Sequence, residues 1–253
     1  MNLFKIENLS FNFKDELNKD EEVKLQQAIS HYLKQKKLSI ALMIIGFCFI
    51  SYIIGIPIMI YGIYLFIKIK NTITINFDFS KETIDDVNEL IANLQQINKC
   101  SARWQVMSSS HTDKARINAG ANNLITRKKL KATSNNDYFI TSNINYCVLN
   151  VVKGKIMFLP NIVVYIKNGK VNLIKYTDFK LEHSISHFRE TDPVPKDATI
   201  LDYTWKYVNN NGTPDKRYKD NVKIAICQYC TFTFNLASSV ENIMVSHFNS
   251  ELE

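Results

Sequence analysis

The amino-acid sequence predicts an α+β fold: an N-terminal helix and a transmembrane helical hairpin, followed by a strand-rich domain with a C-terminal helix. An uninterrupted apolar run at residues 38–69 predicts the hairpin, and short alternating segments after residue 138 predict the strands. The predicted organisation is an N-terminal cytosolic segment with an amphipathic helix at 1–37, a two-helix membrane hairpin at 38–69 and a cytosolic α+β domain at 70–253.

Composition and charge favour a folded protein with anionic partners. The chain has 253 residues, 46% of them hydrophobic, and Lys+Arg exceeds Asp+Glu by 31 to 24, which gives a net charge of +7. Eight cations and a single acid, Asp113, lie between Lys99 and Lys131, so this segment alone carries +7. An odd number of cysteines, five, indicates reduced thiols rather than a secreted disulfide scaffold.

The first helix is predicted from Asp15 to Lys37. Leu25, Ile29 and Tyr32 repeat at helical spacing, with charged residues on the other face. Because no helix-breaking residue follows, this helix is expected to run directly into the apolar segment.

The apolar segment is too long for one ordinary spanning helix of ~20 residues. Gly55-Ile56-Pro57 supplies a turn, and lysines flank both ends of the segment while the turn has none. The positive-inside rule then predicts two arms, 38–54 and 56–69, in the bacterial inner (cytoplasmic) membrane, with both termini cytoplasmic. One long kinked span is the alternative.

The region after the apolar segment begins with a strand and a helix. Residues 72–79 alternate strictly, and Ser80 caps a helix with acids in its first turn. Residues 108–137 are predicted to be mostly loop with short elements, and Asn168-Gly169 predicts a hairpin. Strands are expected at 138–141, 144–152, 155–159, 161–167, 170–177 and 222–235, and a capping box of Ser238 and Glu241 predicts the final helix, 238–249.

The run IMFLPNIVVYIKNGKVNLIKYTDFKLE (156–182) resembles segments of bacterial pleckstrin-homology-like and GRAM-like domains. Those segments also read as a strand, a turn, a hairpin and a further strand. The resemblance implies a small, partly closed barrel completed by a C-terminal helix.

Three further stretches, FLPN (158–161), VPKDA (194–198) and TWKYVNNNGTPDKRYKDN (204–221), resemble a domain of bacterial proteins without an assigned activity. The last stretch reads TWxYVNxxGGPDRRFxxN in that domain. This chain departs from the pattern at Thr213, Lys216 and Tyr218. The resemblance implies a site in 204–221 and no particular reaction.

The same stretch is a candidate ligand site on chemical grounds. Arginine and lysine side chains bind phosphate or carboxylate, and aromatic rings stack on bases. The alternative is a long turn bent at Asn211-Gly212 and anchored by its tryptophan. The predicted ligand-binding residues are Trp205, Lys206, Tyr207, Asp215, Lys216, Arg217, Tyr218 and Asn221.

The basic stretch is a candidate contact for an anionic surface, either lipid headgroups or, as a weaker expectation, nucleic acid. A solvated face without a partner is the alternative. The residues predicted for this contact are Lys114, Arg116, Arg127, Lys128, Lys129 and Lys131.

No cofactor, metal site or catalytic residue is predicted. Cys227 and Cys230 lie on a predicted strand, where positions i and i+3 face opposite sides. His183 and His187 share a face but lack further ligands, and no P-loop, GxSxG or GxGxxG motif occurs.

The leading functional hypothesis is a membrane-tethered sensor or binding module for an anionic small molecule, nucleotide, lipid headgroup or partner, with homo-oligomerisation as a further expectation. Its order of two short spans and a strand-rich sensor resembles the membrane effectors of nucleotide-signalling antiphage defence systems. The alternatives are a membrane-anchored enzyme acting on nucleotide or phosphodiester substrates, through Asp215, Asp220, His183 and His187, and a structural membrane protein.

Overall fold

The computed structural model divides the chain into two compact units, each assembled from separate stretches of sequence. Unit 1 comprises residues 1–91, 134–149 and 153–176, and unit 2 comprises residues 92–133, 150–152 and 177–253. The described residues are 9–14, 17–69, 73–112, 118–119, 121, 123–131, 139–237 and 239–247, without the side chains of 81–83 and 86. The predicted domain boundaries at residues 37 and 69 come from hydropathy. The division into two units does not test them, so they stay predictions.

Three helices and thirteen strands make up the described part of the chain. In order they are β1 (Leu9–Phe13), α1 (Lys19–Cys48), α2 (Gly55–Lys68), β2 (Ile73–Phe77), α3 (Lys81–Lys99), β3 (Arg103–His111), β4 (Asn123–Lys129), β5 (Ile140–Ser142), β6 (Cys147–Val151), β7 (Gly154–Leu159), β8 (Ile162–Lys167), β9 (Lys170–Ile174), β10 (Phe179–Glu190), β11 (Thr199–Trp205), β12 (Lys223–Leu236) and β13 (Ser239–Val245).

Helix α1 begins at a capping box and continues well past Lys37. The side chain of Asn18 accepts a hydrogen bond from the Glu21 amide, and the Glu21 carboxylate accepts one from the Asn18 amide. The predicted continuity of this helix into the apolar segment is confirmed. The chain leaves the helix at Phe49, and α2 starts at Gly55 with Pro57 in its first turn, where a missing amide hydrogen costs little.

The predicted transmembrane hairpin is wrong. Among the described residues, no helix combines the length and the apolar character needed to cross a bilayer. Helix α2 has only 14 residues, against ~20 for a span, and α1 carries charged residues over its first two thirds. The same finding contradicts the predicted place in the bacterial inner membrane with both termini cytoplasmic.

Two glycines let α1 and α2 approach each other closely within unit 1. A Cβ atom on Gly46 would collide with the backbone of Met59, and one on Gly62 would collide with Met43. Gly46 and Gly62 are both buried. The helices therefore pack through their glycine faces, and their other faces stay outside this contact.

Two sheets belong to unit 1, apart from Asn150 and Val151 at the end of β6, which are assigned to unit 2. Strands β1, β2 and β5 form a parallel sheet in the order β1-β2-β5, and the second sheet has the order β6-β7-β8-β9. The predicted hairpin is confirmed between β8 and β9, where Asn168 and Gly169 adopt positive φ values of 53° and 80°. The strand predicted at 72–79 and the helix after Ser80 are also confirmed, as β2 and α3.

The core of unit 1 joins α1 to both sheets. Tyr32 stacks on the fully buried Phe139, with ring centroids 4.1 Å apart. The Gln26 side chain donates a hydrogen bond to the Val171 carbonyl of β9 at 2.7 Å, so polar contacts also fix the helix on this sheet.

Unit 2 is organised around the long strand β12. One antiparallel sheet has the order β10-β12-β13-β3-β4, and β11 also pairs with β12, opposite Lys223 to Gln228. Trp104, Cys227, Tyr229 and Met244 are buried together on one side of this sheet. This cluster therefore brings together side chains from three neighbouring strands, β12, β13 and β3.

Two further predictions about the strand-rich region are wrong. The sheets do not close, so the PH-like barrel is not formed. Residues 239–245 form β13 rather than the final helix, and part of the predicted helix (238 and 248–249) lies outside the described residues. In the region predicted to be mostly loop with short elements, 108–137, the described residues contain the end of β3 and β4, and residues 113–117, 120, 122 and 132–137 lie outside the described part of the chain.

Candidate functional site

The loop at 204–221 is ordered by its own contacts. Tyr207 and Asn221 are joined by two hydrogen bonds between the Tyr207 backbone and the Asn221 amide, at 3.0 and 2.8 Å. Val208 forms a β-bridge with Pro214, and the rings of Tyr207 and Tyr218 stack 3.9 Å apart. The structure therefore brings together Tyr207, Tyr218 and Asn221 of the predicted site, at the base of the loop.

The arginine of the predicted site is bound within the loop. Asp215 is buried and accepts hydrogen bonds from the Arg217 guanidinium, at 2.6 Å from Nη2 and 2.9 Å from Nε. It also accepts one from the Arg217 backbone amide at 3.1 Å. These hydrogen bonds raise the pKa of Arg217, whose side chain is 75% exposed. An anion at this loop would compete with Asp215 for the guanidinium fork.

We expect Asp215→Ala to lower the free energy of unfolding by about 1–3 kcal/mol. The substitution removes a buried hydrogen-bond acceptor. It also leaves the backbone amide of Arg217 without its hydrogen bond to Asp215. Urea unfolding followed by tryptophan fluorescence measures the change, since Trp205 enters this loop. The matched control is Lys216→Ala, an exposed neighbour for which we expect no measurable change. An equal loss in both variants would contradict the role of Asp215.

Lys206 lines a cavity whose lining includes neither Asp215 nor Arg217. This cavity has a volume of about 540 Å³ and lies between β4, β10 and the turn at 118–121. Its lining contains Arg189, His187 and Ser186 of β10. The full lining is Asn118, Ala119, Ala121, Asn123, Leu124, Ile125, Ser186, His187, Phe188, Arg189, Thr191, Lys206 and Ile224.

One residue of the turn, Ala119, connects the elements around this cavity. Its backbone amide donates to the Lys206 carbonyl at 3.0 Å, and its own carbonyl accepts from Arg189 Nε at 2.7 Å. Ala119 has a positive φ of 53°, a conformation that non-glycine residues seldom adopt. Arg189 and the backbone of Lys206 are thereby both held by the backbone of one residue.

The cavity is basic. Three of its lining residues carry a cationic or ionisable nitrogen (Arg189, His187 and Lys206), and no described lining residue is an acid. Arg189 uses Nε for Ala119, and its terminal nitrogens make no hydrogen bond within the described part of the chain. The buried hydroxyl of Ser186 also has no hydrogen-bond partner among the described residues.

The basic stretch divides into exposed and buried cations. Lys128, Lys129 and Lys131 are exposed, as a surface contact requires. Lys114 and Arg116 lie outside the described residues. The side chain of Arg127 is only 8% exposed, so it does not present its charge to an anionic surface in this structure.

Arg127 belongs to an aromatic cluster in unit 2. Its Nη2 donates to both oxygens of the fully buried Glu190 side chain at 2.6 and 2.8 Å. The guanidinium carbon lies 4.1 Å from the Trp104 ring centroid and 4.3 Å from that of Phe188. Tyr229 donates to Glu190 at 2.7 Å, and burial together with this hydrogen bond raises the pKa of its hydroxyl.

The cysteines and histidines singled out in the sequence do not converge. Burial raises the pKa of Cys230 to about 11 and also raises that of Cys227, so both stay protonated thiols. His183 lies near the Phe232 ring, whereas His187 lines the basic cavity. The described residues contain no group of three or more His, Cys, Asp or Glu side chains suited to a metal ion.

The other two resemblance stretches lie in different units. FLPN belongs to unit 1, where Pro160 and Asn161 line a cavity of about 360 Å³ that also contains the ion pair between Lys175 and Glu22. VPKDA belongs to unit 2, where Asp197 accepts a hydrogen bond from the Ser101 amide at 2.7 Å.

Of the predicted ligand residues, only Lys206 lies in the basic cavity. Arg189, Ser186 and Asn118 are not among the predicted site residues, because they are distant in sequence from 204–221. The observable signal was the pattern His187-Phe188-Arg189, which puts a histidine and an arginine on one face of a strand. No protein-family model, no curated protein and no solved structure matched this chain.

Proposed function

We propose that the protein is a binding module for a small anionic ligand and that the basic cavity of unit 2 holds the anion. The observation that carries this proposal is the convergence of Arg189, His187 and Lys206 on a cavity without a described acid. Cationic side chains bind phosphate or carboxylate through charge-assisted hydrogen bonds. Arg189 supplies a planar donor pair, and Lys206 supplies a point charge.

The lining also indicates the size and polarity of the ligand. Leu124, Ile125 and Ile224 provide apolar surface beside the basic groups, while Asn118 and Asn123 provide amides. A volume of about 540 Å³ lies within the range of small-molecule sites. The ligand class that fits is an anion with an apolar or aromatic body, such as a nucleoside phosphate.

The loop at 204–221 contributes by holding Lys206. The ammonium of Lys206 lies 5.4 Å from the ring centroid of Tyr207, which stacks on Tyr218. The Asn221 amide fixes the Tyr207 backbone beside it. In this proposal the aromatic pair positions the lysine, and Asp215 with Arg217 keeps the loop closed.

We expect Lys206→Met to weaken anion binding by roughly tenfold, because one charge-assisted contact is lost and methionine retains most of the side-chain volume. The measurement is calorimetric titration of the full chain with pyrophosphate, AMP and ATP at low ionic strength. Lys216→Met is the matched control, since Lys216 lies in the same loop but outside the basic cavity.

Two results would overturn the proposal. The first is an absence of binding by all three probes to the full chain. The second is binding that survives Lys206→Met but is lost in Lys216→Met, which would place the anion at the Arg217 side of the loop. Arg189→Gln provides a further check, with its free energy of unfolding measured first because Arg189 also holds Ala119.

A further inference from the structure

Helices α1 and α2, with the turn between them, expose an unusually large apolar surface. Between Ile40 and Ile67, fifteen large apolar side chains are more than a third exposed, and Ile53 is 89% exposed. With roughly 150–250 Å² for each large side chain, they present on the order of 1,500 Å² of surface. The largest apolar patch of a typical monomer is only ~300–600 Å².

The exposed residues of α2 form a regular seam. Ile56, Ile60, Ile63 and Ile67 are 45, 57, 40 and 61% exposed, and they follow one another at steps of four, three and four residues. This is the spacing at which one helix packs against another by knobs into holes. The seam lies on a different face of α2 from the buried Gly55, Gly62 and Leu65, so it is not used in packing against α1.

Helix α1 adds a row with the same spacing. Ile40, Ile44 and Phe47 are 39, 59 and 67% exposed and are separated by steps of four and three. No residue from Leu38 to Ile67 is charged, whereas Lys37 and Lys68 mark the two ends. A partner for this surface must therefore be apolar and uncharged over the same length.

We propose that this surface is the interface between two copies of this chain, with the α2 seam of one copy packed on the α2 seam of the other. A seam of four isoleucines is complementary to itself under a two-fold axis, which is the symmetry of most homodimers. Two pairs of helices then form a four-helix bundle. The four seam residues alone present less than the ~800 Å² that each partner contributes to a stable interface, so exposed residues of α1 also belong to this bundle interface.

Sedimentation velocity of the full chain, without detergent and between about 1 and 100 µM, tests the proposal. We expect a species of twice the chain mass. Ile60→Lys is expected to weaken dimerisation at least ~100-fold, because two lysines would face each other in each dimer. Tyr61→Lys is the matched control: it is the adjacent residue, 42% exposed, and it is rotated by ~100° from the seam.

Circular dichroism of both variants establishes that α1 and α2 are retained. A monomeric wild-type chain over the whole concentration range would overturn the proposal. So would equal loss of the dimer in Ile60→Lys and Tyr61→Lys. A third contrary outcome is a chain that sediments with neutral phosphatidylcholine vesicles and is monomeric on them, since lipid would then cover the seam. None of these results bears on the anion cavity, which lies in unit 2.

Discussion

Arg127→Leu is expected to lower the free energy of unfolding by about 3–5 kcal/mol. The substitution leaves the Glu190 carboxylate, which has no exposed side-chain surface, without its charge partner. It also removes the cation that lies against the rings of Trp104 and Phe188. Guanidinium unfolding followed by tryptophan fluorescence measures this loss, because both tryptophans of the chain, Trp104 and Trp205, lie in unit 2.

Lys128→Leu is the control, since the next residue on β4 is exposed, and we expect a change within about 0.5 kcal/mol. The double variant Arg127→Leu with Glu190→Gln tests whether the loss of stability comes from the buried Glu190 charge being left without its partner. The glutamine side chain would still accept the Tyr229 hydrogen bond without a buried charge, so the double variant should regain much of the loss. A double variant no more stable than Arg127→Leu would contradict the ion-pair explanation.

Phe139→Ala is expected to destabilise unit 1 by about 3–5 kcal/mol. The ring is fully buried and stacks on Tyr32 of α1 at 4.1 Å, and the Phe139 carbonyl accepts a hydrogen bond from the Ile73 amide of β2. Its removal leaves a cavity between a helix and the parallel sheet. Thermal unfolding followed at 222 nm is the appropriate measurement, because α1 and α2 lie in unit 1.

Val23→Ala controls for nonspecific effects on α1, since Val23 is 49% exposed, and we expect a change within about 0.5 kcal/mol. Phe139→Leu gives a graded test, because leucine refills most of the cavity and should recover part of the lost stability. A Phe139→Ala protein with the stability of Val23→Ala would contradict the assignment of Phe139 to the core of unit 1.

Elements whose backbone is fixed by a short stretch of sequence are predicted correctly. The two-residue turn at Asn168-Gly169 fixes both a turn type and a register, and the structure has that hairpin. Alternation at 72–79 predicted β2 because one face of that strand is buried. Strand β10 gave no such signal, because most of its side chains are exposed on both faces.

The errors have the same physical origin. Ser238 and Glu241 have the spacing of a capping box, but Glu241 is buried in β13 opposite Phe234, so pairing with β12 overrides local preference. The hydropathy of the apolar run, its Gly-Ile-Pro turn and its flanking lysines predict a membrane hairpin, but none of these features distinguishes a lipid-facing helix from one with a protein partner. Arg127 was grouped with its exposed neighbours because sequence does not show which member of a basic run meets Glu190.

The basic cavity could be predicted only in part. Lys206 lies in a loop with its own chemical signature, whereas the pattern His187-Phe188-Arg189 puts two basic side chains on one face of a strand without indicating which element they meet. They meet Lys206 because Ala119 bridges two elements that are far apart in sequence. Contacts of that kind depend on tertiary register, which no local pattern encodes.

The parallel sheet of unit 1 also has a consequence for synthesis on the ribosome. Strand β1 is made long before β5, yet the sheet to which both belong is completed only when β5, at Ile140–Ser142, has been translated. At roughly 5–20 residues per second, the ~130 intervening residues take on the order of ten seconds. During that time the nascent chain carries an incomplete sheet together with the isoleucine seam of α2. Folding of this sheet during synthesis can therefore be completed only after β5 has left the ribosome.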